Sequence, residues 1–396
     1  MRIGLFTDAY LPEISGVTVL VRRLRDELER RGHEVWVYAP RYDRPSDDER
    51  RTFRFRAGPV FAYKTARMSV PYSREAARSY RRLEIVHSHT PFSLAYAALA
   101  AGYRHRLPHV QTYHTYLSEY RHYVPRPLRP SVRAAEAYSA LLCNRCTVVT
   151  VPTRSIEEEL RRFGVRRPIH VLPFGPDLRL YDRPAVWDLR RELAISASAS
   201  VCLYAGRVAE EKNLRFLLRS FARIHAAERA AVLVVAGDGP SRSALEREAA
   251  SIGLRDAVRF AGFIDQARLV DLYKAADLFL FASKSETQGL VLVEAMAGGT
   301  PAVAVDARGV RDVVEDGANG FLVPEDEDVF AERALEALSD RSCYDGLVVG
   351  ARKTAETSSV QASTTRLTAI YEVCRRAAKG PRVRRRRFRR RQRVVS

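Results

Sequence analysis

Apolar residues along this chain follow two recurring patterns: short, nearly continuous runs, and longer stretches with helical spacing. In the first half the short runs are RIGLFTD (2–8), EVWVYAP (34–40), IVHSH (85–89), HVQTYH (109–114) and CTVVTVP (146–152). Runs of this length with apolar residues at successive positions suit strands covered on both faces of a parallel sheet. Between the first two lies VTVLVRRLRDELERRG, where Val17, Leu20, Val21, Leu24 and Leu28 share a helical face and Gly32 is placed to end the helix. The alternation restarts with VCLYAGR (201–207), AVLVVAGDG (231–239), VRFAGF (258–263), LFLFAS (278–283) and PAVAVD (301–306). Helical segments such as LRFLLRSFARIHAAE and SRSALEREAASIG separate these runs. Such alternation predicts an α/β chain with two doubly wound parallel sheets. Pro176, Pro184 and the Ser/Ala-rich stretch ending at residue 200 mark the boundary. The expected division is a front domain at 1–176, a second domain at 177–345, terminal helices at 346–378 and an arginine-rich tail at 379–396. The terminal helices are free to pack back on the front domain. In paired sheets of this kind, ligands bind beyond the carboxyl ends of the strands, in the cleft between the domains.

The chain's 396 residues exceed one ordinary core and agree with two domains. Charge changes the picture more. The net of +19 is spread unevenly: residues 1–176 carry 30 Lys/Arg against 17 Asp/Glu, residues 177–374 carry 24 against 30, and residues 375–396 carry 12 against none. A basic front and a polybasic tail imply an anionic partner surface, either membrane or nucleic acid. No apolar run approaches the roughly 20 residues of a spanning helix, and MRIGLFTDAYLPE lacks the apolar region of a signal peptide. The expected location is therefore cytoplasmic. Five cysteines fit a reducing compartment, and the Cys143/Cys146 pair has no second pair to complete a zinc site. It reads as a helix end running into a strand.

Candidate chemistry concentrates in SKSETQGLVLVEAMAGGTPAV (283–303). A helix starting near Gly289 would leave Glu286 in the preceding loop and Glu294 in its second turn, with the Gly289 and Leu290 amides at an anion-binding N-terminus. Two carboxylates beside an anion cradle suit a ligand with hydroxyls and phosphates, a sugar nucleotide. Glu294 lies among apolar residues, where a charge must be paired or bound. In AGRVAEEKN (205–213), Arg207 ends a strand and Lys212 follows, two cations suited to a diphosphate.

Together with SGVTVLVRRL, VVAGDGP (234–240), VRFAGF and VEDGANGFLVP (314–324), these segments resemble the glycosyltransferases of the GT-B fold, specifically the large retaining family 4. The resemblance spans nearly the whole globular chain. It implies two facing Rossmann-like domains, a nucleotide-sugar donor and transfer of a hexose with retention of configuration. It further implies that Arg207 and Lys212 hold the donor diphosphate and that Glu294 binds the ribose hydroxyls. Glu286 and the backbone after it, Gly289 and Leu290, would hold the donor sugar and phosphate, and Gly16 would leave room for the diphosphate. His114 matches a front-domain histidine that faces the donor sugar. The Asp326–Asp328 pair has the form of a metal motif but the setting of helix caps, so no metal is expected.

His109, ahead of its strand, is expected at the surface. The loop after His114 mixes Tyr116, Tyr120, Arg121, His122 and Tyr123, a composition suited to a lipid interface. Residues 51–82 hold nine Lys/Arg, one acid and six aromatics, with the same implication. The phrase QTYHTYLSEYRHYVP resembles the acceptor region of bacterial diacylglycerol glucosyltransferases. That resemblance implies glucose transfer from UDP-glucose to a lipid hydroxyl at the inner face of the cell membrane. Phosphatidylinositol mannosyltransferases using GDP-mannose, and soluble family members with a small sugar acceptor, are the alternatives. A nucleic-acid arm formed by RVRRRRFRRRQR is a remote one, because the domains show no matching recognition module.

Overall fold

The computed structural model describes residues 1–13, 15–43, 50–60, 63–114, 117, 124 and 129–379. The front sheet contains β1 (Arg2–Phe6), β2 (Glu34–Pro40), β3 (Thr52–Phe55), β6 (Ile85–Ser88), β7 (His109–Thr112), β8 (Val148–Val151) and β9 (Ile169–Val171). A separate antiparallel pair, β4 (Ala57–Val60) and β5 (Tyr63–Ser69), projects beside it. The second sheet contains β10 (Val201–Ala205), β11 (Val232–Ala236), β12 (Val258–Gly262), β13 (Leu278–Phe281), β14 (Ala302–Val305) and β15 (Gly320–Val323). Both sheets are parallel, in the orders β3-β2-β1-β6-β7-β8-β9 and β12-β11-β10-β13-β14-β15. Each order reverses direction once, between β1 and β6 in front and between β10 and β13 behind. Crevices outside the carboxyl ends open at such reversals.

The front sheet is wrapped by α1 (Gly16–Arg30), α2 (Arg74–Ser79), α3 (Ser93–His105), α4 (Val132–Cys143) and α5 (Arg154–Arg162). The second carries α6 (Leu189–Glu192), α7 (Leu214–Ala227), α8 (Arg242–Ser251), α9 (Gln266–Ala275), α10 (Leu290–Gly298), α11 (Arg308–Arg311) and α12 (Glu327–Ser339), followed by α13 (Arg341–Ser358) and α14 (Val360–Lys379). Ser15 caps α1 by accepting from the Thr18 amide, and Leu20, Val21, Leu24 and Leu28 bury its apolar stripe. The interior strands β6, β7, β13 and β14 are buried at every position, as a sheet covered on both faces requires.

The chain crosses back at its end. Leu367 and Tyr371 of α14 join the front core beside Leu24 and Leu172. Tyr371 places its hydroxyl 2.5 Å from His87 Nδ1 beneath the front sheet. The crossing is tight at the linker: a methyl group on Gly175 would stand 2.5 Å from the Ser358 carbonyl oxygen.

Candidate functional site

Two loops at the carboxyl ends of the second sheet form the centre of the site. The loop after β10 carries Arg207 and Lys212. It is held by backbone contact, since a Cβ on Gly237 would lie 1.8 Å from the Gly206 carbonyl oxygen, and both glycines have positive φ. Tyr204 donates its hydroxyl to the Arg207 carbonyl at 2.9 Å. The loop after β13 carries Glu286 and rests on Gly309, where a Cβ would come within 2.6 Å of the Glu286 and Thr287 carbonyl oxygens.

The two loops meet in an ion pair. Lys212 Nζ lies 2.5 Å from Glu286 Oε1, and Ser283 donates to the same oxygen at 3.0 Å. Arg207 lies 3.4 Å from Glu211, half-exposed. Gly289, at φ 76°, precedes α10, and no side chain caps that helix among the described residues. The Lys212 partner Glu286 stands three residues before Gly289, so a cation is held on the loop that leads into this helix start, a combination suited to a diphosphate.

Glu294, in the second turn of α10, is buried and ionically paired. Arg23 of the front-domain helix α1 donates to its Oε1 at 2.7 Å, and Tyr273 donates to its Oε2 at 3.1 Å. This is the partner that an isolated carboxylate in GLVLVEAMAGG requires. Arg23 was not singled out by sequence. The available signal was its place three residues after Leu20, at the edge of the apolar stripe of α1.

The front domain closes over these loops. A methyl on Gly16 would touch only Leu290 Cδ1, at 3.9 Å, so packing against described residues does not demand glycine there. Thr153 donates to the Thr287 carbonyl at 3.0 Å. Gln288 donates to the Phe174 carbonyl at 2.6 Å and accepts from the Phe174 amide at 3.2 Å. Asp312 accepts from the Arg154 amide at 3.1 Å, capping the start of α5 from the other domain.

His114 stands just beyond the carboxyl end of β7, partly exposed. Its ring lies 6.2 Å from that of Phe174, the residue clipped by Gln288, so contacts connect it to the Glu286 loop. Behind it, His89 stacks in parallel, with Nδ1 3.3 Å from His114 Nε2. His87 bonds Thr112 at 2.6 Å and Tyr371. Burial pushes the His114 imidazole down to about 4 and drives His87 and His89 well below the usual histidine range. These rings are neutral near pH 7, able to orient a hydroxyl without adding charge.

One expectation is corrected. His109 is buried, not at the surface: β7 lies between β6 and β8, and His109 Nε2 bonds Ser88 Oγ at 2.6 Å. Asp326 caps α12 by accepting from the Asp328 and Val329 amides. Cys143 ends α4, and burial raises both thiols, Cys143 to about 12.

Tyr116, Tyr120, Arg121, His122 and Tyr123 lie outside the described residues, as does the tail from residue 380. Exposed apolar groups of the described front domain include Val70 and Tyr72 after β5, Phe92 at the start of α3, Tyr96 and Tyr103 along it, and Val132 and Leu141 on α4. These elements are adjacent, through Ser69 N to Ser93 Oγ at 3.0 Å and Tyr96 to Tyr138 hydroxyls at 3.1 Å. Exposed Arg74, Arg78, Arg104, Arg106 and Arg133 accompany them.

Comparisons with known proteins agree with the two-sheet α/β fold. The profile of the family described as Glycosyltransferase Family 4 matches residues 14–180, and that of Glycosyl transferases group 1 matches residues 185–354. The chain is 34% identical to an alpha-monoglucosyldiacylglycerol synthase of Streptococcus pneumoniae, over 85% of this chain and 78% of that protein. It is 32% identical to a protein of the same name from Acholeplasma laidlawii, over 83% and 86%. Among solved structures, sucrose-phosphate synthase from Thermosynechococcus elongatus superposes with a TM-score of 0.77 at 23% identity, covering 95% of this chain and 99% of that one.

Proposed function

Because the chain belongs to glycosyltransferase family 4, the group 1 glycosyl transferases, we propose that it transfers glucose from UDP-glucose to the hydroxyl of diacylglycerol. The observation that carries this reading is the likeness, over more than four-fifths of the chain, to two monoglucosyldiacylglycerol synthases. Hexosyl transfer is the activity of the family; the donor, the lipid and the residue roles are our assignment.

In this reading Arg207, Lys212 and the α10 amides hold the diphosphate, with Gly16 leaving space on the front side. Glu294 accepts the ribose hydroxyls, Glu286 those of the sugar, and His114 positions the sugar from the front domain. The acceptor oxygen attacks the anomeric carbon on the face from which the diphosphate departs. The bond from that carbon to the phosphate oxygen breaks, and the acceptor proton passes to the departing phosphate oxygen. Configuration is retained, and fixed cations stabilise the leaving group without a metal. Arg207 and Lys212 thus supply charge where it develops.

The front domain, residues 1–176, takes the acceptor side. The exposed rings Tyr72, Phe92, Tyr96 and Tyr103, with the exposed arginines of α2, α3 and α4 and Arg106, suit an anionic membrane, with rings at headgroup level and cations over acidic lipids. The loop with Tyr116, Tyr120, Arg121 and Tyr123, and the arginine tail, are assigned to the same surface. No described helix is long and apolar enough to cross a membrane. Peripheral attachment at the cytoplasmic leaflet follows from this assignment.

The test is direct. The protein is incubated with vesicles of diacylglycerol in anionic phospholipid and with each nucleotide sugar, and lipid products are identified by mass. A monoglucosylated lipid from UDP-glucose is expected. A mannosylated lipid from GDP-mannose, or transfer only to soluble sugars, overturns the donor or acceptor assignment. Sedimentation with the same vesicles should show binding that weakens from low to high salt.

A further inference from the structure

We infer that Arg23, on the front domain, is a positioning residue for the ribose-binding carboxylate Glu294 and couples domain closure to recognition of the ribose. The inference rests on the proposed role of Glu294 and adds a residue to that site.

The geometry is specific. Glu294 is 8% and Arg23 11% exposed at the side chain, and they lie 2.7 Å apart. Among the described residues, no cation of its own domain contacts Glu294; the other partner is the Tyr273 hydroxyl. A buried carboxylate without a cation is costly to keep out of water. The positive charge paired with Glu294 arrives on a helix of the other domain. Arg23 also reaches Gln266 Oε1 at 3.3 Å, next to the cap of α9, so its guanidinium is held at two points of the second domain.

The acceptor count supports positioning over blocking. An ionised carboxylate offers about four lone-pair sites. Arg23 takes one on Oε1 and Tyr273 one on Oε2, leaving one on each oxygen. Two adjacent free acceptors match the two hydroxyls of a ribose 2′,3′-diol. Arg23 fixes the rotamer while leaving those positions available. The same helix places Gly16 against Leu290, at the start of α10. When α1 seats on α10, the diphosphate end and the ribose end of the site are completed together. When the domains part, Glu294 loses its cation and its fixed orientation.

The experiment uses full-length protein and isothermal titration with UDP and 2′,3′-dideoxy-UDP, with the GDP pair alongside; the nucleotide that binds wild type more tightly is the one compared. The variants are Arg23→Met, which keeps the aliphatic stem, Arg23→Lys, Glu294→Gln and the Arg23→Met/Glu294→Gln double variant. Melting curves accompany each. Arg23→Met should weaken the ribonucleotide about tenfold and the dideoxynucleotide by less than about twofold, because only the former uses the oriented carboxylate. Arg23→Lys should restore part of the loss. The double variant should bind no more weakly than Glu294→Gln alone, as residues acting through one another do. Equal weakening of both nucleotides, no weakening at all, or additive losses in the double variant would each overturn the inference. If Glu294→Gln binds the ribonucleotide as wild type does, the ribose assignment itself falls, a result distinct from failure of Arg23. Should Arg23→Met not fold, Arg23→Gln is read by the same ratio.

Discussion

Replacing Glu286 by glutamine should tighten the binding of free UDP while abolishing transfer. Glu286 holds Lys212, at 2.5 Å, with both side chains about one-fifth exposed. That pairing occupies the cation assigned to the diphosphate and leaves a negative charge beside the incoming phosphates. Opposite charges about 4 Å apart attract by roughly 4 kcal/mol at an effective dielectric near 20. Partial exposure and the desolvation of both partners reduce the net value to about 1–2 kcal/mol. The glutamine variant no longer competes for Lys212, so UDP affinity should rise roughly 5- to 30-fold. The sugar hydroxyls lose their acceptor at the same time, and the turnover number should fall by about a hundredfold or more. Titration calorimetry with UDP on wild type, Glu286→Gln, Lys212→Met and the double variant measures the first effect. The double variant should match Lys212→Met. Weaker or unchanged UDP binding by Glu286→Gln would refute the reasoning, because it would mean that Glu286 does not restrain Lys212.

Acid should destabilise the protein through its buried histidines. The folded value of His109, about 3, lies below the ordinary 6.5, and His87 and His89 are likewise driven well down by burial, so the unfolded chain binds more protons as pH falls. Stability is full above about 6.5 and declines toward pH 4 and below, and melting curves of His109→Gln should show a flatter pH dependence than wild type. Gly237→Ala should lower the melting temperature sharply, since a Cβ there meets the Gly206 carbonyl oxygen and φ is 143°; a loss of less than about 1 kcal/mol in denaturant unfolding would show that the loops can part. Tyr371→Phe removes the hydroxyl bonded to His87 and should cost about 1–3 kcal/mol, detected as a shift in the urea midpoint with an unchanged m-value.

The sequence by itself determined the two parallel sheets. Ten buried runs were legible because strands covered on both faces must be apolar at successive positions, whatever packs on them. The strands left unread include short or half-exposed ones: β3 is an edge strand with Arg54 in its middle, β9 has three residues, none of them buried, and β15 is only four residues long. Glu286 and Glu294 in one segment, and Arg207 and Lys212 in another, stand out from sequence as candidates, because each pair sits in a strand-end loop or at the helix start that follows it. The partners of those residues do not. Lys212 meets Glu286 across 74 positions of sequence, and Arg23 meets Glu294 across 271. His109 reads from sequence as a surface residue ahead of its strand, yet it opens β7, which lies between β6 and β8, and is buried. A charge in an apolar helix announces from sequence that it needs a partner. Which residue supplies that partner is decided only when two domains fold against each other, because the pairing depends on the position of α1 over α10 and on no pattern within either segment.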